Sequence, residues 1–471
     1  MKRIEIVLIT ATLLFHSICC FANDDLPVKN AIIMVADGWT INHITMTNFY
    51  EGKEKQIYQD FEYSAFMSTF PDGGDYNSEL AWSIPTYVTS GTTDSAAAGT
   101  AMATGEKTYN NSINIGIDGN CLITSSQLAE ESGRSTGVVS TAVFTDATPA
   151  TFGGAHNALR KNQKAIARDM LFNTKLSVIL SPGNPDYDDN GDEYEYDGEL
   201  MGGYDLWNHI KSNVDKDEYT LTSFDSLTVK DINGDGIPDS WTVIHTKADF
   251  VKVANGELLP VRLLGLADTK SGLQKCWGDG NTFTPSVSLE QVPTLAEMSC
   301  AALNVLNQNC KGFYLMIEGA CVDKASHEAA NDPHRGIAVI REMSDFNRAV
   351  EKVIEWVETY SNWEETLLIV TGDHGTGYLT ASENSYEDLG VNEDKGEGFE
   401  PDYYFHSSDH TNQLIPVYAK GVNAERLYDY STGEDIKRGK YLDNTDLSKL
   451  INFSSTPSPQ SPKEDLEHKR P

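Results

Sequence analysis

The sequence predicts an α/β fold: a three-layer α/β/α sandwich with a large, mainly parallel central sheet and a decorating insertion. Three observations carry that expectation. Continuous apolar runs recur along the chain, and each ends in residues able to bind a metal. Segments with helical signals lie between them, and a long polar, Gly- and Asp-rich stretch interrupts the alternation from about 181 to 291. Unbroken apolar runs suit strands covered on both faces, and strand-helix alternation places helices on the two sides of a mostly parallel sheet. In such sheets ligands sit beyond the carboxyl ends of the strands.

From the N-terminus, Met1-Lys2-Arg3, an apolar run from Ile6 to Cys20 and then Phe21-Ala22 make the pattern of a secretory signal peptide over 1–22. The catalytic domain is expected over 23–453. Its first strand, Ala31 to Ala36, ends at Asp37. In Thr93-Asp94-Ser95-Ala96-Ala97-Ala98-Gly99-Thr100-Ala101 a serine follows an acidic residue and leads into small residues only. That pattern puts Ser95 at a helix N-terminus, where free N–H groups and the dipole favour an anion. An N-cap hydroxyl alone would explain it equally well. Thr124 with Gln127 forms a capping box for a helix that Gly133 ends. Val138 to Val143 leads to Asp146 and Thr148. After the interruption, Thr294 with Glu297 caps another helix, and Phe313 to Ile317 is a strand that ends at Glu318. Val339, Met343, Phe346, Val350, Val353 and Val357 recur at helical spacing. The next strand, Thr366 to Thr371, runs into Gly372-Asp373-His374, and His410 precedes an apolar run from Leu414 to Ala419. The last residues, 454–471, are Ser/Pro-rich and then charged, the composition of a disordered tail.

With 471 residues the chain can bury a substantial core. Its net charge is −34, and loss of Lys2, Arg3 and Glu5 with the leader takes it to −35. Such a surface repels nucleic acid and anionic membranes, so a nucleic-acid scaffold is excluded. No run after the leader approaches the roughly 18 apolar residues of a membrane span. The expected location is therefore periplasmic or extracellular. A phosphorylated substrate would be repelled too, and its site would need local positive charge, which bound metal ions supply. Of seven cysteines, Cys121, Cys276, Cys300, Cys310 and Cys321 follow the leader. That odd number leaves at least one thiol free or paired between chains.

Asp323 and His327 are four apart and share one face of a helical turn, giving two zinc ligands, with His410 a natural third. A lone pair of this kind is usually a solvated turn. Here Asp373-His374 at a strand end, joined by Asp37 and the Ser95 oxygen, would hold a second zinc.

Taken together, these segments resemble the alkaline phosphatase family. The match runs through Ile33-Met34-Val35-Ala36-Asp37-Gly38, Asp94 to Gly105, Asp146-Ala147-Thr148-Pro149-Ala150, Glu318 to His327, Val370 to His374, and His410-Thr411. The resemblance implies hydrolysis of phosphate monoesters through a phosphoserine on Ser95. It implies one zinc on Asp323, His327 and His410 and a second on Asp37, Asp373 and His374. It also implies a magnesium on Asp37, Thr148 and Glu318, with Asp146 reaching that ion's water shell. Arg160 matches the arginine that clamps phosphate. Lys324 with Asp146 resembles the magnesium-type bacterial members, where the lysine meets phosphate through water. Small phosphorylated molecules are the implied substrates, and a homodimer is the family's common assembly.

Asp231-Ile232-Asn233-Gly234-Asp235-Gly236-Ile237-Pro238-Asp239 has oxygen donors at loop positions 1, 3, 5 and 9 with glycine at 6. Asp231, Asn233, Asp235 and Asp239 are thus candidates for structural calcium, although Thr242 stands where a bidentate acid is usual. A similar run, Asp186, Asp188 and Asn190 before Gly191, is fainter. Two departures from the family, Trp39-Thr40 after Asp37-Gly38 and Gly375-Thr376-Gly377 after His374, could reshape the pocket without removing a ligand. Two alternatives stand beside the phosphomonoesterase. One is a phosphodiesterase of the same superfamily, which usually lacks the third-ion residues. The other is an exported calcium-binding interaction protein on an inactive phosphatase scaffold, for which broken ligands are expected.

Overall fold

The computed structural model describes residues 28–215, 218–273, 290–332, 335–451 and 453. The expected signal peptide over 1–22 and the tail over 454–471 lie outside the described residues, as does Cys276. At the centre, parallel strands follow one another across the sheet in the order Thr366–Thr371, Asn30–Ala36, Phe313–Gly319, Ser135–Ser140, Val178–Pro182, Leu263–Ala267 and Trp241–Ile244. Antiparallel strands finish it: Ile415–Gly421 pairs with Thr366–Thr371 on one side, and Glu218–Leu221 with Trp241–Ile244 on the other. The whole sheet has 13 strands among the described residues.

Every residue of Asn30–Ala36, Phe313–Gly319 and Thr366–Thr371 is buried. This follows from their unbroken apolar sequences, since a strand covered on both faces has no solvent side. The helices that cover the sheet begin where the caps demand. Thr124 and Gln127 close the capping box of Ser125–Glu131, and Thr294 and Glu297 that of Leu295–Leu306. Gly336–Tyr360, 25 residues long, buries Val339, Met343, Phe346, Val350, Val353 and Val357 as one stripe.

The register fixes the site. Val35 lies opposite both Glu318 and Thr371, and Glu318 lies opposite Ser140. The strands therefore finish level at one end of the sheet, and Asp37, Glu318 and Asp373 emerge there together.

The stretch 181–291, expected to decorate the sandwich, lies only partly outside the sheet. Leu263–Ala267 and Trp241–Ile244 extend it beyond Val178–Pro182. These runs are 5 and 4 residues long and sit between Asp- and Gly-rich loops, so composition over a wider window hides them. Glu218–Leu221 and Val214–Asp215 continue the sheet's edge, while Tyr204–Ser212 and the loop 231–239 lie outside the strands.

Candidate metal and phosphate site

Ser95 opens the helix Ser95–Thr104, whose N-cap is Asp94. Asp94 Oδ1 accepts the Ala97 amide at 2.9 Å, so the acidic residue takes the capping role and leaves the serine hydroxyl free for other partners. Ser95 to Ala103 are all buried, which side chains this small make possible. A Cβ on Gly99 would stand 2.4 Å from Thr151 Oγ1, so the glycine lets this helix close on the helix Ala147–Phe152. Thr148 on that second helix is thereby brought beside the strand ends.

Ser95 Oγ lies 3.1 Å from His374 Nε2. The same nitrogen is 3.2 Å from Asp373 Oδ2 and 3.5 Å from Asp37 Oδ1. A second group adjoins it: His327 Nε2 lies 3.3 Å from Asp323 Oδ2 and 3.2 Å from His410 Nε2, and His410 Nε2 is 3.7 Å from Asp323 Oδ1. Asp323 and His327 share the helix Cys321–Ala329, as their spacing of four requires. His410 arrives on a short ladder in which Thr376 pairs with His410. The ligand atoms of Asp37, Asp373 and His374, and those of Asp323, His374 and His410, lie within 4.8 Å of one another.

These imidazoles are oriented as ligands. His327 Nδ1 meets the Ser408 carbonyl at 2.6 Å, and His410 Nδ1 meets the Thr93 carbonyl at 2.8 Å. A ring nitrogen facing a carbonyl must carry the proton, which leaves Nε2 with a lone pair aimed inward. Carboxylates are aimed in the same way. The Gly38 and His374 amides both donate to Asp373 Oδ1, at 3.1 and 2.9 Å, while Asp373 Oδ2 and Asp37 Oδ1 are buried without a hydrogen-bond partner. The buried hydroxyl of Thr148 is likewise unpartnered. Glu318 accepts a hydrogen bond from Ser140, its neighbour in register. Unpaired oxygens in a dry site are costly unless something positive completes them.

The electrostatics agree. Burial, then repulsion from Asp373, Asp323 and Glu318, pushes Asp37 well above the usual carboxylate range. Burial, with Asp146 and Asp373 nearby, pushes Glu318 up to about 8, and Asp373 is also raised by burial. Asp323 runs the other way: burial would raise it, but His327 and His410 hold it far below normal. A gathering of carboxylates and imidazole lone pairs in low dielectric suits divalent cations. Mixed nitrogen and oxygen donors suit zinc, and oxygen donors alone suit magnesium.

Arg160 reaches this site as well. Its two terminal nitrogens are 3.2 Å from Asp94 Oδ2 and 2.8 Å from Asp146 Oδ1. Burial opposes its charge, but the carboxylates of Asp146 and Asp94 more than restore it. Lys324 Nζ stands 3.7 Å from Asp146 Oδ2 and donates to the Ser271 carbonyl at 3.3 Å.

Other candidates fall elsewhere. Trp39 is fully buried among Tyr58, Phe346 and Tyr418, and a Cβ on Gly372 would meet it at 2.3 Å, so it packs behind the site and does not shape a pocket. In the loop 231–239, Asp231 accepts the Gly234 and Gly236 amides, Asp235 the Ile237 amide, and Asp239 the Ile232 amide and the Asn233 side chain. In the fainter run, Asp186 is engaged by Lys211 at 2.9 Å and Trp207 at 2.8 Å. Cys121, Cys300, Cys310 and Cys321 are free thiols. Sequence reasoning missed Ser140 and marked Thr376 only as a departure, without its donation to Asp323 Oδ1 at 2.5 Å. A lone hydroxyl carries no motif, and only ladder pairing reveals its partner.

Comparison with known proteins places this site in context. A family model described as alkaline phosphatase matches residues 28–405. The chain is 31% identical over 367 residues to alkaline phosphatase 4 of Bacillus subtilis, covering 77% of this chain and 64% of that protein. It is 28% identical over 375 residues to the alkaline phosphatase of Escherichia coli, covering 74% and 70%. The chain thus spans a little under two thirds of the length of the Bacillus subtilis relatives. Among solved structures, the alkaline phosphatase of the Antarctic bacterium TAB5 superposes with a TM-score of 0.58 at 22% identity, covering 91% of this chain and 98% of that one. A cold-active alkaline phosphatase from a psychrophilic Shewanella gives 0.61 at 24% identity, covering 90% and 98%. These structural likenesses show a shared fold.

Proposed function

The chain belongs to the alkaline phosphatase family, and from that premise we propose that it hydrolyses phosphate monoesters, releasing inorganic phosphate through a phosphoserine on Ser95. The observation that carries this reading is the Ser95 hydroxyl, 3.1 Å from His374 Nε2 and at the start of a buried helix, where Asp37, Asp373 and Arg160 also converge. Asp323, His327 and His410 would hold one zinc, and Asp37, Asp373 and His374 a second. Asp37, Thr148 and Glu318 would hold magnesium, with Asp146 beside it. When bound, these cations supply Lewis-acid charge for the serine and phosphoryl oxygens.

Ser95 Oγ forms the new bond to phosphorus as the ester oxygen departs with the alcohol. A water later breaks the serine-phosphate bond, freeing phosphate and restoring the hydroxyl. His374 would be no general base for the serine once zinc is bound, because its Nε2, facing Asp373 and Asp37, would be committed as a ligand atom. The amides of the Ser95–Thr104 helix and the Arg160 guanidinium receive the other phosphoryl oxygens. Lys324, 3.7 Å from Asp146 Oδ2, would meet the phosphate through water.

Small phosphorylated molecules are the substrates, and export by the leader over 1–22 belongs to the same reading. Among the described residues no helix is long and apolar enough to cross a membrane. The test compares a phosphate monoester and a diester with the same leaving group. Turnover should favour the monoester, and Ser95→Ala should abolish the phosphoenzyme trapped on acid quench. Preference for the diester, or phosphoenzyme in the Ala variant, rejects the reading.

A further inference from the structure

Thr376 lies in the Gly375-Thr376-Gly377 departure, and its hydroxyl touches a member of each metal group. Oγ1 is 2.5 Å from Asp323 Oδ1 and 3.4 Å from His374 Nδ1. Asp323 belongs with His327 and His410, and His374, which belongs with Asp37 and Asp373, also lies within ligand reach of Asp323 and His410. We propose that Thr376 is a positioning residue that couples the two zinc sites by fixing Asp323 and His374 with one hydroxyl. The inference rests on the two-zinc reading of the site.

An ionised Asp323 can only accept, so the hydroxyl proton goes to Asp323. What Thr376 then offers His374 is an oxygen lone pair, so Nδ1 must carry the ring proton and donate. The ring lone pair is thereby confined to Nε2, the atom facing Ser95, Asp373 and Asp37. The other tautomer would set two lone pairs against each other at Nδ1 and leave Nε2–H aimed at the ligand position. One hydroxyl thus selects the ligand-competent form of His374 while fixing the rotamer of Asp323.

The backbone makes the arrangement stiff. Thr376 is fully buried, its amide donates to the Gly38 carbonyl at 2.9 Å, and it pairs across the short ladder with His410. Both neighbours adjoin ligands, since Gly38 follows Asp37 and His410 is itself a ligand candidate. A change of geometry at Asp323 is therefore transmitted to His374 without passing through solvent, and hydrogen bonds in such surroundings reinforce one another. Zinc at one site should favour zinc at the other.

The experiment uses the full chain, stripped of metal and titrated with zinc against a chromophoric competitor. Wild type should take up two zinc ions with cooperativity. Thr376→Val, nearly isosteric but without the hydroxyl, should weaken both sites by about 10- to 100-fold, the usual effect of losing a hydrogen bond to a ligand. Thr376→Ser should stay within about threefold of wild type, the hydroxyl that the usual loss depends on being retained. In a His410→Gln background, which breaks the Asp323 group and leaves only the Asp37–Asp373–His374 site complete, Thr376→Val should still weaken zinc by about tenfold. No loss in that background, or loss confined to the Asp323 site, overturns the coupling while leaving the two-zinc reading intact. A wild-type chain that binds no zinc pair overturns the reading itself. Thr376→Ala carries the same expectations if the valine variant does not fold, and circular dichroism decides which is used.

Discussion

At the scale of single residues, Arg160 is held in place before any substrate arrives. Asp94 and Asp146 each take one terminal nitrogen, so the guanidinium loses little rotamer freedom on binding phosphate, and its remaining donors stay available. Lysine has a single ammonium that cannot face two carboxylates and two phosphoryl oxygens at once. Arg160→Lys should lower kcat/KM by about 10²-fold, roughly what losing one oriented donor to a developing oxyanion costs, and should weaken inhibition by inorganic phosphate. Its melting temperature should be unchanged, and wild-type kinetics in this variant would remove Arg160 from the site. Glu130 shows a purely structural use of charge. Burial pushes its carboxyl up to about 7, although Lys175 and Arg262 pull against that shift. A carboxyl whose pKa is higher folded than unfolded stabilises the fold most below the unfolded value near 4.5 and loses that contribution as pH rises through 7. Glu130→Gln, which keeps an acceptor for the 2.9 Å bond from Thr136, should melt with wild type at pH 4 and about 1–2 °C above it at pH 8. Equal melting temperatures at both values would show that the carboxyl ionises freely in the folded chain.

At the scale of elements, the helix Ser95–Thr104 owes its position to the absence of side chains. Gly→Ala in an exposed helix is worth about 1 kcal/mol of stabilisation. At Gly99 the sign should reverse, because the added methyl would sit 2.4 Å from Thr151 Oγ1, a branched side chain whose hydroxyl is tied to the Thr148 carbonyl at 2.8 Å. Gly99→Ala should therefore cost about 1–3 kcal/mol, as overpacking does, and Thr151→Ala in the same chain should return part of it. Additive losses in that double-mutant cycle would refute the close contact. This element was legible in sequence because a run of small residues is visible one residue at a time. So were the strand ends at Asp37, Glu318 and Asp373, since a long apolar run stops abruptly at each. Trp241–Ile244 and Leu263–Ala267 were not, because strands this short carry too few residues for a pattern. Asp94 was noticed as the acid before the serine, yet its grip on Arg160 depends on how the turn at 158–162 folds back onto that helix start. Trp39 read as a pocket residue because sequence cannot tell which side of a strand end a side chain takes.

At the scale of the whole molecule, the site is a junction of segments far apart in the chain, from Asp37 through Glu318 to His410. Each is anchored by its own strand or helix, so the sheet can form without the junction being closed. The junction itself gathers Asp37, Asp373, Asp323 and Glu318 in a buried space within a chain of net charge −34. Repulsion there opposes folding, and bound cations reverse it while tying the segments together. Metal binding to the folded state alone stabilises it by mass action, by about 4 kcal/mol at a thousandfold excess over Kd for one site. Exhaustive chelation should accordingly abolish activity and lower the melting temperature by at least about 5 °C, while the far-ultraviolet circular dichroism of the sandwich persists. Zinc and magnesium together should restore both properties, each rising with metal concentration. Calcium alone should restore neither, because it takes about six to eight oxygen ligands and the junction offers imidazole nitrogens and few oxygens. If calcium alone recovers the melting temperature, the stabilising ion sits in the 231–239 loop and the junction is not what holds the segments; if chelation leaves both properties untouched, the carboxylates at the sheet end are balanced without any cation.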